Sequence, residues 1–134
     1  MDNNYLGKAE RAIVTAESIN YNRGDIVEIG IHFTSGDAVN AISEVNGSYF
    51  GDYITVFRCK NVIGHKVDYT RLDKDEDYAE KCAQYGIADG CNSEEEIIIE
   101  NAKFKVISIE DDELYGKRDE DGAPGVRVIN VKMI

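Results

Sequence analysis

The stretch EEEIIIENAKFKVISIE, residues 94–110, decides the fold. It contains two runs rich in β-branched side chains, residues 96–99 and 103–110, separated by a polar Glu-Asn turn. Runs of this kind are typical of strands, and a third one follows at 125–133. The last third of the chain is therefore predicted to be β-sheet.

Two further strands are predicted upstream of this stretch. Residues 26–33 alternate apolar and polar side chains, which is the period of a half-buried strand. Residues 53–59 are rich in β-branched and aromatic types, and 62–69 continues as a loop or as a second short strand. The polar residues Thr34-Ser35-Gly36-Asp37 directly follow the strand at 26–33.

Three segments have apolar residues at helical spacing. They are residues 9–19, which end at a turn over 22–25, residues 38–45, and the weakly apolar 75–85. Because helices come early and strands late, the sequence predicts a single compact α+β domain over 1–134. Its core is expected to be a mixed or antiparallel β-sheet rather than a doubly wound one.

Composition sets the class of protein. Hydrophobic residues make up 43% of the 134 residues and only one proline is present, so the chain carries enough apolar material for one core and is not a disordered protein. The apolar runs are far shorter than the roughly 20 residues that cross a bilayer, and the first residues lack the apolar centre of a signal peptide. We therefore expect a soluble protein with no membrane partner.

Charge and cysteine content exclude further classes. The formal net charge of −11 argues against binding to nucleic acid, whose phosphates attract cationic surfaces. The three cysteines form no CxxC pair, and their odd number does not fit a disulfide framework. The two histidines are far apart and lie near no cysteine pair, which argues against a zinc site. The expectation is a cytoplasmic protein without a metal site.

Two motifs and their order suggest a reaction. Phe33-Thr34-Ser35 ends a predicted strand, Glu94-Glu95-Glu96 directly precedes the Ile97–Ile99 run, and Phe104-Lys105-Val106 follows a short turn. This order resembles the mono-ADP-ribosyltransferases of bacterial toxins and phage heads, with their aromatic-Ser-Thr-Ser and Glu-x-Glu motifs. The similarity spans roughly residues 23–134, and implies that NAD is the substrate and that ADP-ribose passes to an acceptor protein, in the cytoplasm or in a host cytosol.

The resemblance assigns roles to individual residues. Glu96 is the carboxylate that stabilises positive charge on the ribose as its bond to nicotinamide breaks. Glu94, on the same strand face as Glu96, activates the acceptor, and a carboxylate there suits an arginine acceptor. Ser35, with Thr34, orients Glu96 beside the bound NAD.

The sequence departs from the family pattern at two places. Gly36 stands where the family has a third hydroxyl, and the NAD-phosphate arginine has two possible matches. One alignment puts Leu6 at that position, which leaves the site degenerate or served by another cation such as Arg23. The other uses Arg11, within the segment predicted as helix.

A second reading of the sequence gives a different class of function. The acidic residues before the Ile97–Ile99 run can form an ordinary solvated turn, and Thr34-Ser35 can cap the helix that follows. The protein is then a non-catalytic acidic binding or inhibitor protein, encoded by a phage or a bacterium, that occupies the basic groove of a partner protein.

Overall fold

A long ladder between the first and the fourth strand forms the centre of the sheet. The computed structural model describes residues 4–30, 32–39, 53–84, 96–100, 102–111, 113–117, 120 and 125–134. Its strands are β1 Asn4–Thr15, β2 Ile26–Val27, β3 His32–Thr34, β4 Tyr53–Lys66, β5 Glu96–Ile98, β6 Phe104–Glu110 and β7 Val126–Met133. Its helices are α1 Tyr69–Lys74 and α2 Glu76–Gln84.

The seven strands form one mixed sheet in the order β1-β3-β5-β4-β7-β6-β2. Strands β4 and β7 run parallel, and the other pairs are antiparallel. Strand β1 also pairs with β4, so β1, β3, β5 and β4 close a circuit of pairings. The predicted α+β class with a mixed sheet is confirmed, as is the β-rich end of the chain.

The predicted helix at 9–19 is wrong, because residues 4–15 form β1. Its ladder with β4 runs from Asn4 opposite His65 to Thr15 opposite Tyr53, with one irregularity after Gly7. Alanines favour helix on their own, but partner pairing and packing decide such segments, and the run Ile-Val-Thr at 13–15 suits a strand. The helices of the described residues therefore lie in the middle of the chain, not at its start.

Other predicted boundaries shift in smaller ways. The single strand expected at 26–33 becomes β2 and β3, and Gly30 between them has φ +115°, a backbone conformation that ends regular pairing. The strand at 53–59 continues through 62–66, where a loop or second strand was expected. The helix at 75–85 is confirmed as α2. Of the helix at 38–45, only Ala38 and Val39 are among the described residues, and both are helical.

The apolar side chains form two clusters on opposite faces of the sheet. The inner cluster holds Ala9, Val27, Phe33, Phe57, Cys59, Val62, Ile97, Ile99, Phe104, Val106, Ile129 and Val131. Phe33 and Phe104 pack at its centre with ring centroids 5.7 Å apart. The outer cluster holds Val67, Leu72, Tyr78, Cys82 and Ile98, and joins α1 and α2 to β4 and β5.

Capping side chains satisfy the backbone groups at the helix ends. The Asp68 carboxylate accepts a hydrogen bond from the Arg71 N–H at the start of α1. Asp75, between the helices, accepts bonds from the backbone N–H groups of Asp77 and Tyr78 and from the Arg71 guanidinium. In the part of the chain that the structure describes, neither helix has the length and apolar character needed to cross a membrane.

Candidate functional site

A row of polar side chains crosses four neighbouring strands on one face of the sheet. Thr34 of β3 lies opposite both Glu96 of β5 and Glu10 of β1, and Glu10 in turn lies opposite Arg58 of β4. Residues directly opposite each other in antiparallel pairs point to the same face. Glu96, Thr34, Glu10 and Arg58, which we call the polar row, therefore lie side by side, at strand spacings of about 4.8 Å.

Glu10 is the most buried member of the polar row. Its residue is 4% exposed, and one carboxylate oxygen accepts a hydrogen bond of 2.7 Å from the Arg58 Nε. The Lys8 ammonium lies 3.5 Å from the same oxygen, and the other oxygen accepts a bond from the Ala38 backbone N–H at 3.3 Å. A buried carboxylate is stable only when cations and donors compensate its lost hydration. Glu10 therefore fixes Arg58 across the sheet.

Glu96 sits at the other end of the row, against helix α1. It is 9% exposed, and the Tyr69 hydroxyl donates a hydrogen bond to its Oε2. The backbone N–H of Val67 donates to the Glu96 carbonyl at 3.2 Å, which joins the two strands beside the helix. Since Tyr69 is the first residue of α1, that helix contributes to positioning the Glu96 carboxylate.

The outer cluster supports helix α1 through buried polar groups. The Tyr78 hydroxyl accepts a bond from the Asp68 N–H at 2.9 Å and contacts His65 Nε2 at 2.9 Å. The Tyr78 hydroxyl thus links the start of α1 to the buried imidazole of β4. Burial raises the pKa of Tyr78 and of the nearby Cys82 thiol. Cys82 is accordingly a buried thiol, not a nucleophile.

Thr34 and Ser35 lie where β3 ends. Thr34 is buried, and its hydroxyl accepts a hydrogen bond from the Gly36 N–H at 3.1 Å, which turns the chain sharply after the strand. The Asp37 carboxylate accepts a bond from the Val39 N–H at 2.9 Å, so Asp37 caps the helical residues that follow. The half-buried Ser35 is therefore next to the polar row, at the turn between Thr34 and that cap.

Arg11 lies on the opposite face of β1 from Glu10, because successive side chains of a strand alternate. It is paired in register with Phe57 of the inner cluster, and a Cβ added at Gly30 would lie 3.1 Å from its Cζ. Burial lowers the pKa of this guanidinium. The structure thus separates Arg11 from Thr34 and Glu96.

The other sequence-based candidates have different positions. Leu6 is 75% exposed and lies opposite the exposed Ile63 of β4, so this alignment places an aliphatic surface pair where a guanidinium would be needed. Arg23 is an exposed residue of the turn before β2. Glu94 and Glu95 are outside the described residues. Of the residues expected at the site, the structure places Thr34 and Glu96 opposite each other on neighbouring strands, and Ser35 directly follows Thr34.

No protein-family model, curated protein or solved structure matches this chain.

Three residues of this region were missed by sequence reasoning: Glu10, Arg58 and Tyr69. Arg58 could have been found from the sequence, because a charged residue within the mainly apolar run Tyr53–Cys59 needs a partner on the same face. Glu10 was hidden by the wrong assignment of its segment to a helix. Tyr69 had no signal, since its contact with Glu96 depends on where α1 packs.

The geometry defines what chemistry the region can support. A buried carboxylate fixed by a phenol hydroxyl is a preorganised negative charge, which is suited to stabilising a cation that develops beside it. Along the row, the Arg58 side chain is 40% exposed, so part of its guanidinium can still reach an anion. Within the described ranges, no group of three or more His, Cys, Asp and Glu side chains is arranged to hold a metal ion.

Proposed function

We propose that this protein is an NAD-dependent mono-ADP-ribosyltransferase that transfers ADP-ribose to a protein side chain. The observation that supports it most is the direct pairing of Thr34 with Glu96. These residues belong to the two separate motifs on which the resemblance rests, and they occupy neighbouring strands on one face, with Ser35 next to them. A chance occurrence of the two motifs would not require them to be adjacent.

In this proposal Glu96 stabilises the ribose as the bond to nicotinamide breaks. Positive charge then develops on the ring, and a carboxylate already held in place lowers the barrier without reorganising. Tyr69 acts as a positioning residue, because its hydroxyl fixes one oxygen of Glu96. Thr34 lies beside Glu96 in the polar row, and Ser35 follows Thr34 in the chain.

Arg58 takes the phosphate-binding role that the resemblance assigns to an arginine. It lies on the face of Glu96, three strand spacings or about 14 Å along the row, whereas Arg11 lies on the other face. The planar guanidinium can donate two parallel hydrogen bonds to a pyrophosphate, and its bond to Glu10 holds it in place.

The first experiment compares wild-type protein with Glu96→Gln, using nicotinamide release from NAD and labelling of proteins in a cell extract. The change removes a charge but almost no volume, so folding should be preserved and turnover should fall by about 10²-fold or more. Glu94→Gln should lose protein labelling but retain NAD hydrolysis, while Glu95→Gln should tolerate the change. Equal and small effects at all three positions would contradict the proposal.

A second function, a non-catalytic acidic binding protein, is favoured by two observations. Arg11 lies on the face away from Glu96, and Leu6 occupies the other candidate position for the arginine. This function predicts that the wild-type protein releases no nicotinamide and that NAD causes no thermal shift. Because neither measurement depends on knowing the acceptor, together they distinguish the two functions.

A further inference from the structure

A shallow groove lies beside Arg58, on the face that carries the polar row. Its volume is about 550 Å³. The floor is apolar and the rim acidic. The floor residues are the half-buried Leu114, Val126 and Val128, and the rim residues are the exposed Glu110, Asp111 and Glu113.

The rim keeps its negative charge despite the nearby arginines. Arg58 is bound to Glu10 at 2.7 Å, and its Nη1 is 3.9 Å from Glu110. The Arg127 guanidinium bonds to Asp111 at 2.8 Å. The side chains of Glu110 and Asp111 are 62% and 69% exposed, so both carboxylates remain open to a further cation.

The combination of floor and rim fits one kind of ligand. Lysine and arginine side chains lay their methylene stems along apolar surface and keep the charged head at the edge. Leu114, Val126 and Val128 offer that surface, and the rim carboxylates offer partners for the heads. The chain as a whole carries a net charge of −11, which would steer a cationic partner toward it.

We propose that this groove docks a basic segment of a partner protein. If the proposed function holds, that partner is the protein that accepts ADP-ribose, and its segment around the modified residue binds along the sheet. Arg58 connects the two regions, because it lines the groove and also belongs to the polar row that leads to Glu96. The acceptor class is thus a protein with a short, exposed, lysine- or arginine-rich segment.

The test uses a short labelled peptide of alternating arginine and alanine, and measures fluorescence anisotropy without NAD. The double variant Glu110→Gln with Glu113→Gln should bind it about tenfold more weakly than wild type, if each lost charge contributes about 0.7 kcal/mol. The matched control is Asp73→Asn with Glu80→Gln, which removes the same charge from exposed positions of α1 and α2 and should bind as wild type. A glutamate-alanine peptide should not bind.

The outcomes separate this proposal from the catalytic one. An equal loss of peptide affinity in the groove variant and in the control variant would mean that the overall negative charge attracts the peptide, and would overturn the docking proposal. So would unchanged binding in both. Glu96→Gln should bind the peptide as wild type does. If the wild-type protein releases no nicotinamide, and peptide binding is weakened in the groove variant alone, the catalytic proposal is refuted and the docking proposal is retained.

Discussion

The inner and outer clusters place the same kinds of apolar side chain on opposite faces of one sheet, but they differ in what accompanies them. The inner cluster is entirely aliphatic and aromatic apart from Cys59. The outer cluster includes the hydroxyl of Tyr78, contacts the buried His65, and shares its face with Glu96. We therefore expect the inner face to contribute most of the apolar burial that stabilises the fold, while the outer face adds buried hydrogen bonds that hold a carboxylate in place.

The largest effect should come from the centre of the inner cluster. Phe104 is fully buried and packs against Phe33, so Phe104→Ala should lower the free energy of unfolding by about 3–5 kcal/mol, because a large cavity replaces the ring. Urea unfolding followed by circular dichroism measures this. The exposed Ile63 provides the control, since Ile63→Ala should change the value by less than about 0.5 kcal/mol. Comparable losses in both variants would mean that the inner cluster is not the core.

The inner face is also the part that the sequence predicts well. Strands β5, β6 and β7 follow from runs of β-branched residues such as Ile97–Ile99, because such runs fit a buried sheet surface in many contexts. The N-terminal segment shows the limit of this reasoning. Its alanines have the spacing of a helix, yet the segment pairs with β4 over nearly its whole length, and that non-local pairing outweighs local propensity.

The polar row was only half predictable. Thr34 and Glu96 were predicted from motifs, because each lies at a strand end that sequence patterns mark. Their alignment with Glu10 and Arg58 depends on the register of three strand pairs, and register arises from the whole sheet and not from any one segment. A shift of one residue in β1 would have put Arg11 in the row in place of Glu10.

A smaller effect is expected where the outer cluster meets Glu96. Tyr69→Phe removes the hydroxyl that donates to the carboxylate but keeps the ring, so kcat for NAD hydrolysis should fall about tenfold, or 1.4 kcal/mol. KM for NAD should not change, because Tyr69 acts through Glu96. Tyr5→Phe is the matched control, since the Tyr5 hydroxyl donates to the Lys8 backbone carbonyl, and both constants should stay as in wild type. A rise in KM alone would mean that Tyr69 binds NAD and does not position Glu96.

The smallest effect concerns Asp75, which joins the helices of the outer cluster. Its pKa is lowered from 3.8, first by the hydrogen bond from the Tyr78 N–H and then by the bond from the Arg71 guanidinium. A carboxyl whose pKa is lower in the folded state stabilises the fold above its unfolded pKa, and this stabilisation is lost as the pH falls through the folded value. Asp75→Asn should therefore unfold at a lower urea concentration than wild type at neutral pH, and the difference should shrink as the pH falls below 3.8.

The exposed Asp73 of α1 gives the matched control, because Asp73→Asn removes the same charge without removing the bonds to Tyr78 and Arg71. A urea difference for Asp75→Asn that stays constant across this pH range would show that the carboxylate charge does not hold α1 and α2 together.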